Sequence, residues 1–495
     1  MTTLTQGDWE QRARELKIEG RAYINGEYTA AVSNETFECI SPVDGRLLGH
    51  IASCDASDAQ RAVENARATF NSGVWSRLAP VKRKAVMIRF AELLNEHRQE
   101  LALLETLDMG KPISDSLAVD VPGAARALSW SGEAIDKIYD EVAATPHNQL
   151  GLVTREPVGV VAAIVPWNFP LMIGMWKIAP ALACGCTVVL KPAELTPLTA
   201  LRIGELALEA GFPPGVLNVV PGFGKTAGQA LVDHPDVDKV TFTGSPGVGR
   251  QILRSAAGNL KRVTLELGGK SANVIFPDAD LDAAVKAAGS GIFFNAGQVC
   301  SAGSRILVHE KIHDEVVERL AARASMIRLG DPKDSATAMG PLISAGQMKR
   351  VLDYIEVGKN EGARIAAGGT RHGDTGYFVN PTIFTEVEHD MRISQEEIFG
   401  PVAAVLRFKD DEDAIRLANG TSYGLAAGVW TTDIGRGHRF AKRLKAGTVW
   451  VNTFGPTDVR LPWGGARDSG FGREHGESAI ENFTEPKVVW INTGR

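Results

Sequence analysis

The stretch "VGVVAAIV", residues 158–165, is a short apolar run rich in β-branched side chains. Four runs of the same kind follow it: "CTVVL" (186–190), "GVLNVV" (215–220), "DKVTF" (238–242) and "KRVTLE" (261–266). A helical pattern separates two of them, opening at Thr196-Pro197 and ending at Gly211. Apolar strands that alternate with helices are typical of a parallel sheet covered on both faces. The sequence therefore predicts an α/β fold.

The rest of the chain fits the same class. A second α/β series follows Glu266, and no repeat or long linker is visible. The other patterned segments are a hairpin at 22–29 around Asn25-Gly26, a helix capped by Ser57, a helix from Pro80 to about Leu107, a strand "RILVH" at 305–309 and a helix from Ile312 to Ile327.

Composition limits the kinds of partner. The chain has 495 residues, 44% hydrophobic and 23% charged, which allows two or three domains with their own cores. Its formal net charge of −6 is spread without a basic block. This distribution argues against nucleic acid or an anionic membrane surface as the main partner.

The amino-terminal segment and the cysteines indicate a compartment. The first twenty residues lack the apolar core of a signal peptide, and no apolar run reaches bilayer length, so we expect a cytoplasmic protein. Five cysteines in such a chain favour reduced thiols over a disulfide framework. Cys184 and Cys186 have no second ligand pair at metal spacing, so we expect no metal site.

One cysteine lies in unusual surroundings. The stretch "FFNAGQVCSAGSR", residues 293–305, sets Cys300 among small residues that let the backbone approach a ligand closely. A lone cysteine more often packs as a small hydrophobe than reacts. This stretch alone leaves both interpretations open.

Two strand ends carry features of ligand sites. "TGSPGVGR" (243–250) is a glycine-rich turn into a helix, which suits a phosphate, although its spacing departs from the G-x-G-x-x-G dinucleotide pattern. "VPWNFPL" (165–171) offers the amide of Asn168 in apolar company, as an oxyanion donor or as the cap of a proline-locked turn.

Three further strand ends or turns carry charged groups. In "LELGGKS" (265–271), Glu266 lies in apolar surroundings that suit a general base. "QEEIFGPV" (395–402) and "LKPAE" (190–194) supply further carboxylates and Lys191. Each of these groups alone is equally compatible with a surface ion pair.

Taken together and in this order, these motifs closely resemble the aldehyde dehydrogenase superfamily, over nearly the whole chain. The stretch "LLETLDMGKPISDSLAVDVPGAARALSW" (103–130) looks like the branch that oxidises γ-glutamyl-γ-aminobutyraldehyde and related ω-amino or guanidino aldehydes, such as aminobutyraldehyde and 4-guanidinobutyraldehyde, from polyamine and arginine breakdown. The resemblance implies the aldehyde dehydrogenase fold: two doubly wound parallel-sheet domains and a small β oligomerisation arm. The expected boundaries are 1–136 and 156–265 for the NAD-binding domain, 266–480 for the catalytic domain, and 137–155 with 481–495 for the arm.

The resemblance also implies roles in catalysis. Cys300 is the expected nucleophile, and the resulting oxyanion is held by the Asn168 amide and the Cys300 backbone N–H. Glu266 then activates the water that releases the carboxylic acid. Lys177 and Glu474 match positions of a proton path around Glu266.

The implied cofactor is NAD, with weaker use of NADP. A carboxylate at Glu194 accepts both ribose hydroxyls and repels a 2′-phosphate. The expected cofactor contacts are Trp167, Lys191, Glu194, Gly244, Ser245, Gly249, Glu397 and Phe399.

The implied substrate tunnel is aromatic. Its expected lining residues are Phe169, Trp176, Phe294, Ser301 and Trp463. Asp120 and Asp458 are candidates to face a distal ammonium or guanidinium, and Arg460 either neutralises Asp458 or holds a substrate carboxylate.

Alternatives stay open at this stage. They are a broad aliphatic or betaine-type aldehyde dehydrogenase, a coenzyme A-acylating relative, and a catalytically silent structural relative. The presence of Glu266 favours water as acceptor, and Cys300 and Asn168 argue against a silent protein. The apolar strand 487–492 predicts pairing between subunits, as a homodimer or homotetramer.

Overall fold

A computed structural model describes residues 4–494. The strands, in chain order, are β1 (Ala22–Ile24), β2 (Glu27–Thr29), β3 (Thr36–Ile40), β4 (Leu47–Ala52), β5 (Glu141–Ala143), β6 (Gln149–Pro157), β7 (Val160–Ile164), β8 (Thr187–Lys191), β9 (Leu217–Val219), β10 (Lys239–Thr243), β11 (Arg262–Glu266), β12 (Ala272–Ile275), β13 (Arg305–His309), β14 (Arg364–Ala367), β15 (Thr382–Thr385), β16 (Val402–Phe408), β17 (Ala426–Trp430), β18 (Thr448–Val451), β19 (Gly470–Phe471) and β20 (Thr484–Asn492).

The α-helices are α1 (Gln6–Glu15), α2 (Ala56–Ser72), α3 (Pro80–Glu96), α4 (Arg98–Met109), α5 (Ile113–Asp115), α6 (Val121–Ala134), α7 (Pro170–Cys184), α8 (Leu198–Ala210), α9 (Gln229–Asp233), α10 (Pro246–Ala256), α11 (Leu281–Phe293), α12 (His313–Met326), α13 (Ala345–Asn360), α14 (Arg392–Gln395), α15 (Asp411–Asn419), α16 (Ile434–Arg443) and α17 (Gly476–Glu481). No helix among residues 4–494 is long and apolar enough to cross a membrane.

The first sheet has eight strands in the order β19-β11-β10-β7-β8-β9-β1-β2. Its five central strands are the five predicted apolar runs, and they pair in parallel. The chain leaves β7 to β8 on one side and later returns to β10 on the other. Such a reversal of strand order opens a crevice beyond the carboxyl end of β7, where "VPWNF" lies.

The second sheet has seven strands in the order β14-β15-β16-β13-β12-β17-β18, all parallel except β14. Only five residues separate the end of β11 from the start of β12. The chain thus passes from the carboxyl edge of the first sheet to the amino edge of the second. The chain changes sheets between Glu266, the last residue of β11, and Ala272, just beyond the predicted boundary after Leu265, and the short β19 returns to the first sheet. The domain limits themselves stay a prediction.

A third sheet joins distant parts of the chain. Strand β20 pairs with β6 along its whole length, and β6 pairs with β5. The segments assigned to the arm therefore form one small sheet. Its outer residues include exposed Val142, Val488 and Trp490. A role in subunit pairing stays a prediction.

Of the two local predictions near the amino terminus, the hairpin is confirmed and the helix cap is wrong. The hairpin at Asn25-Gly26 is confirmed, with positive φ at both residues. The cap of α2 is Asp55, whose side chain accepts from the Ser57 N–H at 2.7 Å, so the assignment to Ser57 was wrong. The Asp55 carboxylate lies two residues before Ser57 and can accept its N–H, whereas the Ser57 hydroxyl belongs to a residue already inside the helix.

Two helix limits were also wrong. The single helix predicted from Pro80 to Leu107 is two helices, α3 and α4, because His97 leaves the helical backbone (ψ 17°) and its imidazole contacts Glu100. Helix α8 begins at Leu198 rather than at Pro197. Its first N–H donates to the Asp108 carboxylate, 90 residues away, which no local pattern indicates.

Candidate active site

The loop after β7 positions Asn168. It ends where Pro170 starts α7, and Asn168 is 2% exposed. The Asn168 Nδ2 donates to the carbonyl oxygen of Gln298 at 2.9 Å. An amide nitrogen carries two N–H groups, so one is left for another acceptor. The amide is therefore held in place and still able to donate.

The loop before Cys300 has an unusual backbone. Asn295, Ala296 and Gly297 all have positive φ, at 50°, 53° and 71°. A side chain at Gly297 would collide with the carbonyl oxygen of Gly400, which accounts for glycine there. This sharp turn brings Cys300 back toward the end of β7, because Asn295 donates to the backbone oxygen of Asn168 at 3.0 Å.

The side chain of Gln298 locks this turn. Its Nε2 donates to the Asn295 oxygen at 3.1 Å, and its Oε1 accepts from the Ile343 N–H at 2.9 Å. Gln298 is fully buried. Asn168 and the cysteine loop therefore form one hydrogen-bonded unit built from both sheets.

Cys300 is partly exposed, and its surroundings disfavour the thiolate. Burial, together with the charges of Glu397 and Glu266, raises the pKa of Cys300 to about 12. The backbone N–H groups of Ser301 and Cys300 act in the opposite direction. A thiolate at this position requires an added positive charge or the loss of a nearby negative one.

Glu266 ends β11 and is 6% exposed. Neither of its carboxyl oxygens has a hydrogen-bond partner among residues 4–494. Burial holds its pKa well above the ordinary range, Glu474 raises it further, and Lys177 lowers it. An unbonded carboxyl group of raised pKa is suited to receive a proton from water.

A buried ion pair lies beside Glu266. The ammonium of Lys177 is 2.6 Å from the carboxylate of Glu474 and 3.3 Å from the Thr241 hydroxyl. Backbone hydrogen bonds of 2.7 Å in both directions join Glu474 to Trp463. The structure thus brings both residues of the predicted proton path next to the predicted base.

The expected adenosine end of the cofactor site lies at the carboxyl end of β8. Lys191 is buried and donates to the Pro192 oxygen at 2.8 Å. Its ammonium is 3.6 Å from the Glu194 carboxylate, whose side chain is 40% exposed. A fixed cation and an open carboxylate are thus placed side by side, which suits a ribose with two free hydroxyls.

The glycine-rich turn caps α10. Ser245 is the N-cap, and the Gly244 N–H donates to the backbone oxygen of Glu266 at 3.1 Å. Gly249 packs so tightly on Leu267 that a side chain would collide with it. Pro246 has no N–H and the Ser245 side chain accepts the Val248 N–H, so the N–H of exposed Gly247 is the one left at this helix terminus for a phosphate.

Glu397 and Phe399 lie across from this turn. Glu397 accepts from the Gly269 N–H at 3.0 Å, and burial raises its pKa to about 7. Phe399 has a φ of 61° and stands edge-on to Trp167, with 5.2 Å between ring centres. These groups fit the ribose and ring of a nicotinamide.

Aromatic rings surround the position of Cys300. Phe169 and Phe294 stack 6.1 Å apart, and Trp176 contacts Trp463 at 6.4 Å. Ser301 is partly exposed beside Cys300. The structure therefore groups the predicted aromatic residues, though as a substrate tunnel they stay a prediction.

The two predicted acidic contacts are already paired. Asp120 is fully buried, and its carboxylate lies 2.6 Å from the ammonium of Lys111. Lys111 also lies 3.9 Å from the ring centre of Phe169. At the other site, Asp458 and Arg460 form a two-point ion pair at 2.9 and 2.6 Å. Direct substrate contact by either aspartate stays a prediction, and in this structure each holds an internal cation.

Some residues of the site were not found from the sequence. Gln298, Asn295 and Lys111 lie within quoted motifs, but their roles depend on partners 45 to 130 residues away or on a ring face. No metal-ligand cluster of three or more His, Cys, Asp or Glu side chains occurs in residues 4–494.

Comparison with known proteins decides the family. Residues 28–489 match the aldehyde dehydrogenase family. The chain belongs to the aldehyde dehydrogenase family. This aldehyde dehydrogenase is thus an oxidoreductase acting on aldehydes, which confirms the resemblance and the fold read from the motifs.

Several relatives are similar along their whole length. NADP/NAD-dependent aldehyde dehydrogenase PuuC of Escherichia coli is 51% identical over 486 residues, 98% of each chain. The solved indole-3-acetaldehyde dehydrogenase AldA of P. syringae, in complex with NAD+ and IAA, is 60% identical with a TM-score of 0.98, covering 99% of this chain and 100% of the other. The γ-glutamyl-γ-aminobutyraldehyde dehydrogenase of Burkholderia cenocepacia is 51% identical with a TM-score of 0.97 and the same coverage.

Proposed function

We propose that this aldehyde dehydrogenase uses NAD to oxidise an amide-linked amino aldehyde of the γ-glutamyl-γ-aminobutyraldehyde type to its carboxylic acid. The observation that carries the substrate proposal is the pairing of the two acidic residues near the aromatic rings, Asp120 with Lys111 and Asp458 with Arg460. NAD is the cofactor, and the open Glu194 carboxylate next to buried Lys191 favours it over NADP.

The first step is loss of the Cys300 thiol proton to solvent and addition of the thiolate sulfur to the aldehyde carbon. The new C–S bond leaves the carbonyl oxygen as an alkoxide, which receives the free Asn168 Nδ2–H and the Cys300 backbone N–H. The Asn168 amide needs no reorganisation, because its other N–H is fixed to Gln298. A bound NAD would supply the hydride acceptor, with Trp167, Glu397 and Phe399 holding its nicotinamide end, and collapse of the alkoxide would leave a thioester on Cys300.

The second step is hydrolysis of that thioester. Glu266 takes a proton from a water molecule while the water oxygen attacks the acyl carbon. The C–S bond breaks, the carboxylic acid leaves, and the electron pair of that bond returns to the Cys300 sulfur as a thiolate. The Lys177–Glu474 pair beside Glu266 then carries the proton away, so that Glu266 returns to its basic form.

Asp458 and Arg460 suit one kind of substrate end. Their segment also carries Phe454 and Val459, which pack on the same core as Phe294 and Cys300. Arg460 is 74% exposed and Asp458 34% exposed, so the pair is open to solvent. A zwitterionic end, with an ammonium and a carboxylate, matches both charges of this pair. The γ-glutamyl group has such an end.

A simple ω-aminoaldehyde would make fewer favourable charge contacts with these residues. Its only charge is an ammonium, and the Asp120 carboxylate is buried against Lys111. The Lys111 ammonium already occupies a face of Phe169, so a second cation there would be repelled.

A second candidate class is aromatic aldehydes. The pairs Phe169–Phe294 and Trp176–Trp463 offer ring faces without a free charge. A relative of 60% identity is an indole-3-acetaldehyde dehydrogenase. Indole-3-acetaldehyde therefore belongs in the same test.

The test is kcat/KM for NADH formation with γ-glutamyl-γ-aminobutyraldehyde, 4-aminobutanal, 4-guanidinobutanal, indole-3-acetaldehyde and hexanal, with Cys300→Ala as blank. We expect the γ-glutamyl substrate to be preferred, and Arg460→Met to raise its KM about two- to fivefold while hexanal is unaffected, since an exposed charge contact contributes up to about 1 kcal/mol. Equal use of 4-aminobutanal or 4-guanidinobutanal would overturn the amide-linked assignment. Preference for indole-3-acetaldehyde would support the aromatic class instead.

A further inference from the structure

A small cavity lies next to the Cys300 loop, at the amino ends of β12 and β13, where its lining residue Leu425 packs near Gly269 and the Cys300 backbone oxygen. Lys270 and Ser271 directly precede β12, and Arg305 opens β13 as the register partner of Ala272. The cavity has a volume of about 20 Å³ and opens between these residues and parts of the segments 418–427 and 444–446, without Ser422. Two neighbouring strands thus place three donor side chains in the lining of one cavity.

Two of these donors have no partner among residues 4–494. They are the ammonium nitrogen of Lys270 and the hydroxyl of Ser271, although Lys270 is 2% exposed and Ser271 3% exposed. A buried polar group without a hydrogen bond costs about 1–3 kcal/mol. Such groups in a native fold call for a ligand or an ordered water.

The third donor group is a buried cation without a carboxylate. Arg305 is 1% exposed and donates to the backbone oxygens of Lys270, Leu417 and Ala418 at 3.0, 2.8 and 2.7 Å. Neither Lys270 nor Arg305 has an acidic side chain within 4.0 Å in the described part of the chain. Burying positive charge without a counter-charge is unfavourable.

The lining has one sign of charge. It contains Lys270, Arg305 and Lys445, and no Asp or Glu among the described residues. Burial and the neighbouring Arg305 lower the pKa of Lys270 to about 7, and Glu397 and Glu396 raise it only at longer range. A bound anion would favour the charged ammonium. An anion is therefore the occupant whose charge and acceptor capacity match the site.

We propose that this cavity binds a single halide-sized anion, with chloride held by the Lys270 ammonium and the Ser271 hydroxyl next to the Arg305 guanidinium. The cavity volume excludes larger groups, because one water needs roughly 10–15 Å³ of cavity volume and a polyatomic oxyanion needs several times more. The lining contains neither Cys300 nor Glu266, and neither test below uses turnover, so the tests do not depend on the proposed reaction.

The first test is anomalous diffraction from crystals of the whole protein soaked in bromide. We expect a bromine peak within hydrogen-bond distance of Lys270 Nζ and Ser271 Oγ. A cavity holding only a water molecule, without anomalous signal, would overturn the proposal.

The second test is thermal. Chloride should raise the Tm relative to gluconate at equal ionic strength, with saturation, because an ion that binds only the folded state stabilises it. Ser271→Ala should reduce this shift, and Ser422→Ala, an exposed serine outside the lining, should leave it intact. Equal Tm values of the unmodified protein in the two salts would contradict the proposal. Lys270→Met is a further variant for the Tm measurement. If it does not fold, the bromide diffraction result decides the proposal.

Discussion

The ammonium of Lys177 lies 2.6 Å from the carboxylate of Glu474, and both side chains are buried beside Glu266. The two charges act on Glu266 in opposite directions: Lys177 lowers its pKa and Glu474 raises it. Burial is the largest cause of the raised pKa of Glu266, and the ion pair adjusts the pH at which Glu266 can serve as a base.

Removing either partner should shift the pH dependence of thioester hydrolysis. Lys177→Met removes a charge that favours ionised Glu266, so the rising limb of the pH–rate profile should move up by about one unit. Glu474→Gln should move it down. Single-turnover measurement of acyl-enzyme hydrolysis across pH 5–10 tests this, with the NADH-forming step as internal control. Shifts in the same direction would contradict the assigned roles.

Glu266→Gln should separate the two halves of the reaction. An amide cannot take the proton from water, so hydrolysis should slow by about 10²–10⁴-fold. Stopped-flow absorbance should show a burst of one NADH for each active site, followed by a slow steady state. Glu477→Gln, the same change on an exposed side chain, should behave like the unmodified enzyme. A variant without a burst would place Glu266 in the first step instead.

Asn168→Ala should slow acylation. The lost donor stabilises negative charge on the carbonyl oxygen, and one such donor contributes about 10²–10³-fold. The burst rate constant measures the effect, while the affinity for NAD should stay constant. An unchanged burst rate would mean that the Cys300 backbone N–H suffices.

Glu194→Gln should relax the choice of cofactor. Its half-exposed carboxylate repels a 2′-phosphate, and a repulsion on the order of 1 kcal/mol or more corresponds to roughly fivefold or more. The ratio of kcat/KM values for NAD and NADP should shift toward NADP by at least that factor. Glu209→Gln, the same change at an exposed position of α8, serves as the control. An unchanged ratio would assign the preference to another residue.

The thiol of Cys300 should react slowly with iodoacetamide in the absence of cofactor. Burial and the carboxylates Glu397 and Glu266 raise its pKa to about 12, so the thiolate fraction should rise with pH up to that value. Binding of NAD brings the positive nicotinamide close and should increase labelling at pH 7. Mass spectrometry of the Cys300 peptide measures both effects. Fast labelling at pH 7 without NAD would contradict the pKa direction.

Much of the first sheet follows from local sequence. The five apolar runs are the parallel strands of the first sheet, because β-branched residues buried on both faces give a continuous apolar pattern. The roles of Cys300, Asn168 and Glu266 were predicted from the family resemblance, because each local pattern alone left a structural interpretation open. The limits of α3, α4 and α8 were not found, since His97 and Asp108 act through contacts with other segments.

What the sequence by itself determined is therefore the fold class, the family motifs and the identity of the reacting groups, all of which depend on short segments. Tertiary structure alone decided the state of those groups. Burial sets the pKa of Cys300 and Glu266, and Asp120 finds Lys111 as its partner on the face of Phe169. Lys270 and Arg305, 35 residues apart, converge only because their strands are neighbours in a parallel sheet. Electrostatic energy depends on distance and solvent exclusion, and neither is visible until the chain is folded.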